Sequence, residues 1–256
     1  MLIDTDMRLP GLSYSRSFGA RLLLALSCMV SINAQADTRH AFSVQSPPWL
    51  AAVGHLHVPG SKYVAGRRQH HREDCSATLV ADKSGAAARI IITAWHCLEY
   101  YDDLSKPIVF TALPGAANSV EVTARRLADG GGMHADWAIL RLARAVRPEE
   151  VAALTIHSER ADPARSIVMA GFSRDAGLGQ HGKRLTFDPD CQILRQDAHS
   201  SDSDCTAYKG ASGGAVIQLE ESGDAQLCGV ISQGDGAGLS TFVPVSGFRA
   251  TLNQYL

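Results

Sequence analysis

The chain has 256 residues, 45% of them hydrophobic and 20% charged, with a net charge of −2. That length holds one large domain or two small ones, and the balance is that of an ordinary globular protein. Neither the net charge nor any charged tail recommends nucleic acid as a partner.

The N-terminus differs from the rest. Arg16 and Arg21 precede an apolar run from Leu22 to Ile32, and Ala34-Gln35-Ala36 follows. A basic region, an apolar core of this length and an A-x-A site read together as a secretory signal, residues 1–36, cleaved after Ala36. The run is too short for a stable bilayer anchor, and its flanks argue against a buried core helix. Cys28 lies in the run, but the residues before it, Ala25-Leu26-Ser27, fit a lipid-attachment signal poorly. The expected destination is secreted or periplasmic, where disulfides form. Beyond Ala36 the chain keeps Cys75, Cys97, Cys191, Cys205 and Cys228. That odd set leaves one cysteine unpaired, or paired to something else.

After the leader, short apolar runs alternate with turns. Strands are predicted at 75–80, 89–94, 107–113, 119–127 and 137–143, each rich in Val, Ile, Thr or Phe and bounded by turn residues. The segment 144–164, with Pro148 and Pro163, has little strand character and joins two halves of similar length. Further strands are predicted at 165–172, 215–220, 227–232 and 240–245, with a hairpin turn over 221–225. The end of the chain is the exception. Ser246 is placed to cap a helix over 246–256 whose Phe248, Leu252 and Tyr255 share one face. Many short strands and few helical runs argue an all-β sandwich or barrel.

Chemistry concentrates at "YKGASGGA", residues 208–215, where Ser212 has a glycine two before it and two after. G-x-S-x-G alone is a weak signal, since such clusters are often plain turns. A nucleophile elbow needs a helix after the serine and a histidine later in the chain. The last histidine is His199, and strand, turn and strand follow Ser212, so an α/β-hydrolase or an esterase of that kind is excluded. The other chain order is histidine, aspartate, serine. His96 ends one apolar strand and Asp136 begins another. Singly, such residues are most often a solvated histidine and a turn aspartate. In this order, and in these settings, the three become candidates for a nucleophile, its base and the group that orients the base.

At these residues the chain resembles the trypsin-like serine proteases. "TAWHC" resembles their "TAAHC", "DWAILRL" their "DIALL" strand and "GASGGA" their "GDSGGP". "PPWLAAVGHLHV" (47–58), "CSATLV" (75–80) and "GVISQG" (229–234) match further pieces of the family in its order, from about Pro47 onward. The resemblance implies an all-β fold of two packed six-stranded antiparallel β-barrels, chymotrypsin-like, with a short C-terminal helix. The protease domain would span 37–256, with one barrel at about 45–150, the other at about 160–245 and the helix at 246–256. It implies His96 as general base, Asp136 as its orienter and Ser212 as nucleophile, with Gly210 and Ser212 N–H groups as the oxyanion hole. Thr206, Ser232 and Gly234 would line the substrate site, with Gln233 in place of a usual tryptophan.

The resemblance also implies a Cys75–Cys97 disulfide bracing the histidine loop, worth about 3 kcal/mol on the chain-entropy model. Zinc competes for His70, His71, Cys75, His96 and Cys97, but the spacing fits no familiar structural zinc pattern and export favours the disulfide. Cys191 and Cys205 bracket a loop before the serine and are expected to form a second bridge, which leaves Cys228 as a buried free thiol. Ala211 stands where the animal digestive enzymes carry the aspartate that receives a new N-terminal amine, so that activation switch is expected to be missing. The pattern is closer to the bacterial branch that includes the glutamyl endopeptidases. Thr206 offers no anion for Lys or Arg, and Ile231 stands where the glutamate-specific enzymes place a histidine. The expected preference before the cleaved bond is a small or apolar side chain.

The resulting expectation is a secreted serine endopeptidase, monomeric, acting on a protein or peptide, with no metal or organic cofactor and no stable membrane anchor. The alternative is a catalytically silent binding module of the same fold. Such modules usually lose a residue of the three, and here all three are present.

Overall fold

Alternation of buried and exposed side chains, the two-residue period of a strand, marks some strands, while others such as Ile167–Gly171 are buried throughout. In Ile108–Ala112 and Val120–Asp129 it is nearly strict, and it gives each strand one face for a core. A computed structural model describes residues 37–103 and 105–256. The signal expected at 1–36, with Cys28, lies outside the described residues. Among those described, no helix is long and apolar enough to cross a membrane.

The strands in chain order are β1 (His40–Ala41), β2 (Val53–Val64), β3 (Arg67–Val80), β4 (Ala88–Thr93), β5 (Ile108–Ala112), β6 (Val120–Asp129), β7 (Ala138–Val146) and β8 (Thr155–Ile156). They continue with β9 (Ile167–Gly171), β10 (Thr186–Cys191), β11 (Ile193–Gln196), β12 (Ser201–Ser203), β13 (Ala215–Leu219), β14 (Ala225–Gly234) and β15 (Ser240–Pro244). β2-β3-β4-β7-β6-β5 close a six-stranded antiparallel barrel around Leu56, Leu79, Ile91, Phe110 and Leu140. The other strands form a sheet in the order β1-β10-β9-β13-β14-β15-β12-β11, with β8 parallel to β14. This is the all-β, chymotrypsin-like architecture, with the second unit curled but not closed by hydrogen bonds. β11 and β12 have four and three residues, too few to carry the sheet around to β1 at the opposite edge.

The C-terminal helix is shorter than its sequence pattern. Val245–Gly247 is a 3-10 turn and α1 (Arg249–Leu252) is a single turn. Phe248, not Ser246, stands at its N-cap, with no side-chain cap. The apolar face holds the segment regardless: Leu252 is buried, and Phe248 stacks on Trp137 with ring centroids 4.8 Å apart.

The barrel and the sheet meet at Ser76, a fully buried residue of β3. Its N–H donates to the Ser212 carbonyl (2.8 Å), and its Oγ donates to the Gly210 carbonyl (2.9 Å). The same Oγ accepts from Phe172 N–H (2.8 Å), and its carbonyl accepts from Thr93 Oγ1 (2.8 Å). One serine of the barrel thus satisfies backbone groups of Phe172, Gly210 and Ser212 in the other part of the chain. Replacing Ser76 by Ala leaves the Phe172 N–H and the Gly210 carbonyl without that partner, a cost of about 2 kcal/mol. The expected result is a Tm lower by about 5 °C in thermal unfolding; an unchanged Tm would show that the seam does not depend on the hydroxyl.

Candidate active site

β4 ends at Thr93, and the chain turns into the 3-10 segment Trp95–Leu98, which carries His96. The next residue, Cys97, is joined to Cys75 of β3, 22 residues earlier, so the turn is fixed covalently to the barrel wall. Asp136 lies just before β7, after the turn at Gly132–Ala135, and is fully buried. A lone buried carboxylate is costly, so its donors matter. Asp136 Oδ1 accepts from His96 N–H (2.9 Å) and Oδ2 meets His96 Nδ1 (2.8 Å). Oδ2 also accepts from Ser232 Oγ (2.5 Å). With Nδ1 as the donor, the neutral imidazole leaves Nε2 as the acceptor on its other edge.

Ser212 sits in a tight turn. Ala211 N–H donates to Tyr208 O (3.0 Å), Gly214 N–H to Ala211 O (2.8 Å) and Gly213 N–H to Ile231 O (2.7 Å). Among the described residues, the N–H groups of Gly210 and Ser212 have no hydrogen-bond partner. The Gly210 peptide is held from behind, where Arg174 N–H donates to the Lys209 carbonyl (2.7 Å). In a trans peptide, that turns the Gly210 N–H the opposite way. Gly210 has φ of 97°, and a Cβ there would lie 2.5 Å from the Phe172 carbonyl, so only glycine fits.

His96 and Ser212 share a cleft of about 440 Å³ with Met133, Tyr208, Lys209, Ile231, Ser232, Gln233 and Gly234. Ser212 Oγ donates to the Ser232 carbonyl (3.3 Å), so the serine and histidine face one cleft without a direct bond in this conformation. Ser232 and Gly234 line the cleft. Thr206 is not among those lining residues, and its backbone N–H donates to the buried Asp188 (2.9 Å). A second cavity of about 520 Å³, lined by His55, His57, Arg72 and Asp74, shares no residue with the cleft.

Cys191 is joined to Cys205, which ties β10 to the segment leading into the serine turn. Cys228 is the free cysteine among the described residues. It is buried, and burial pushes its thiol up to about 12. Cys75, His96 and Cys97 bring ligand-type atoms within 4.8 Å of one another, but both sulfurs are spent in the disulfide and are not thiolate ligands. Sequence reasoning missed Ser76, Tyr208 and Arg174 around the serine turn. A lone serine in an apolar strand and a lone arginine in a loop carry no pattern that would find them.

The family described as "Trypsin-like peptidase domain" matches residues 75–225, a stretch that includes His96, Asp136 and Ser212. No curated protein matches the chain. Among solved structures, the chain is similar to one titled "Structure of GrC", at 15% identity and a TM-score of 0.61, covering 84% of this chain and 97% of that one. At that identity the likeness is one of fold. The family match runs across most of the barrel and through the serine turn, and on that ground the chain belongs to the trypsin-like peptidase domain family.

Proposed function

We propose that the protein is an exported serine endopeptidase that cleaves peptide bonds through an acyl-enzyme on Ser212. The observation that carries this reading is the buried Asp136, which holds His96 at both its backbone N–H and its Nδ1 beside a cleft that Ser212 also lines. In this reading Ser212 Oγ turns from the Ser232 carbonyl to His96 Nε2, gives up its proton and attacks the substrate carbonyl carbon. The imidazolium is stabilised by Asp136 and then protonates the leaving amine as the C–N bond breaks. The Gly210 and Ser212 N–H groups, without a partner among the described residues, bind the oxyanion of the tetrahedral intermediate. Water, deprotonated by His96, releases the acyl group and restores the serine. The two disulfides support export to an oxidising compartment, secreted or periplasmic. The bacterial, glutamyl-endopeptidase-like branch remains part of this reading, with the enzyme acting as a monomer.

The cleft also supports a substrate class. Gly236 N–H donates to the Ala207 carbonyl (3.1 Å), and a Cβ on Gly234 would meet that carbonyl at 2.3 Å. The two walls that would hold a deep side chain therefore touch. Tyr208, Ile231 and Ser232 border what remains and carry no charge at neutral pH, and the basic groups of the same cleft are Lys209 and His96. The residue before the cleaved bond is read as small, Gly, Ala or Ser.

Three measurements test the proposal. A fluorophosphonate probe should label the protein at Ser212 and leave Ser212→Ala unlabelled, with turnover falling on the order of 10⁶-fold in that variant. Asp136→Asn should fold and lose about 10⁴-fold in turnover, because the imidazole is left in the wrong tautomer. A folded wild-type protein that never labels would sink the catalytic reading and leave a binding module of this fold. Digestion of a peptide library should give cuts after Gly, Ala or Ser; cuts dominated by Phe, Lys or Glu would overturn the shallow-pocket assignment.

A further inference from the structure

The segment before the first barrel lies not on that barrel but on the other sheet. β1 pairs with β10, His40 against Phe187 and Ala41 against Thr186, and Phe42 N–H donates to the Leu185 carbonyl (2.9 Å). Within this segment Arg39 has a side chain only 2% exposed. Burying a guanidinium is costly unless its partners are well placed. Its Nε and Nη2 fork onto Asp37 (2.9 and 2.7 Å), and Nη1 donates to Asp175 Oδ1 (2.9 Å). The guanidinium carbon lies 4.1 Å from the ring centroid of Tyr208, a residue of the cleft wall.

These contacts converge on the four residues before Gly210. Thr38 Oγ1 donates to Asp188 Oδ2 (2.7 Å), and the same oxygen accepts from Thr206 N–H (2.9 Å). Arg39 covers Tyr208. Asp175, held by Arg39, accepts from Gly179 N–H through Oδ2 (3.2 Å) and from His181 N–H through its carbonyl (2.8 Å), which shapes the loop at 173–182. Its neighbour Arg174 gives its N–H to the Lys209 carbonyl. Thr206, Tyr208 and Lys209 are thus each held by the N-terminal segment, Tyr208 directly, Thr206 through Asp188, and Lys209 through Asp175 and Arg174. The Lys209 contact sets the plane of the peptide that carries the Gly210 N–H.

We infer that residues 37–42 form a strap that orders the oxyanion-binding turn, with Arg39 as the positioning residue that aims the Gly210 N–H into the cleft. The inference rests on the peptidase reading for its effect on rate, and on geometry alone for its effect on order. Burial works against the Asp175 charge, but Arg39 and the Gly179 N–H outweigh it and hold the carboxyl below the usual carboxylate range. The hydrogen bond from Arg39 lowers Asp37 in the same way, so both carboxylates stay ionised at neutral pH and the clasp stays closed. Because an oxyanion forms after binding, losing the strap should act on kcat more than on KM.

The test compares wild type, Arg39→Ala, Arg39→Lys and Asp175→Asn by peptide hydrolysis and by hydrogen exchange with mass spectrometry. Arg39→Ala should lose about 10²-fold in kcat, the scale of one oxyanion donor, with KM within about twofold. Its exchange should quicken at 173–182 and 205–211 and stay unchanged in β2 to β7. Arg39→Lys, which keeps the charge but not the fork, should recover part of both losses. Should Arg39→Ala fail to fold, Asp175→Asn cuts the same link more gently and should show the same local pattern. Wild-type kcat and exchange in these variants would overturn the inference, as would exchange that quickens equally across the chain. If wild type neither labels nor hydrolyses, the peptidase reading falls, and exchange still decides the strap: quicker at 205–211 supports it, unchanged overturns it.

Discussion

Two consecutive residues of β3, Cys75 and Ser76, reference the whole site to one point on the barrel. Cys75 is bonded to Cys97 and so fixes the turn that bears His96. Ser76 holds the carbonyls of Gly210 and Ser212 on either side of the serine turn. Adjacent strand residues point to opposite faces, which lets one strand reach both targets at once. The Ser76–Gly210 contact joins residues 134 apart in sequence. Such a link is entropically expensive to close, and it forms only once both sheets have packed. The distance between His96 and Ser212 is therefore a property of the assembled fold and of neither half alone.

Charge burial follows the same economy of means. Asp136 is fully buried and takes three hydrogen bonds, two from His96 and one from Ser232. Arg39 is buried between two carboxylates and an aromatic face. Each ion would be destabilising without its partners, and each removes freedom from a group that borders the cleft. The serine turn is held on both flanks by Ser76 and Arg174, which lie outside the lining of the cleft.

The sequence made legible whatever was local. The strands at 89–94, 107–113 and 119–127 announce themselves by β-branched residues and alternation, and β4, β5 and β6 lie there. β10, β11 and β12 were not legible. Their residues include Pro189, Asp188, Asp190 and Asp202, poor strand formers that are extended because β9 and β15 pair with them. The polar stretch at 59–72 carried no strand signal either, yet it continues the β2–β3 hairpin to a turn at Ala65-Gly66. In the site, the histidine, aspartate and serine were readable from order and setting. Counting back from the serine points to Thr206, whose backbone N–H is bonded to Asp188, a partner that no sequence pattern announces. Ser76 and Arg39 could not be found, since their roles arise from partners more than a hundred residues distant.

The odd cysteine has a consequence for how the chain reaches this state. In the native protein Cys228 is sealed in the second core and its thiol is pushed up to about 12, so it is neither reached nor ionised. Before that core exists the same thiol is an ordinary one, free to compete for Cys191 or Cys205 a short distance up the chain. Oxidation before the second sheet forms would trap such mispairs, whereas oxidation after it would find Cys228 already withdrawn. The order of sheet formation and disulfide closure thereby governs the yield of native molecules, and a chain oxidised before its second sheet forms depends on disulfide reshuffling in a way that a Cys228→Ser version would not.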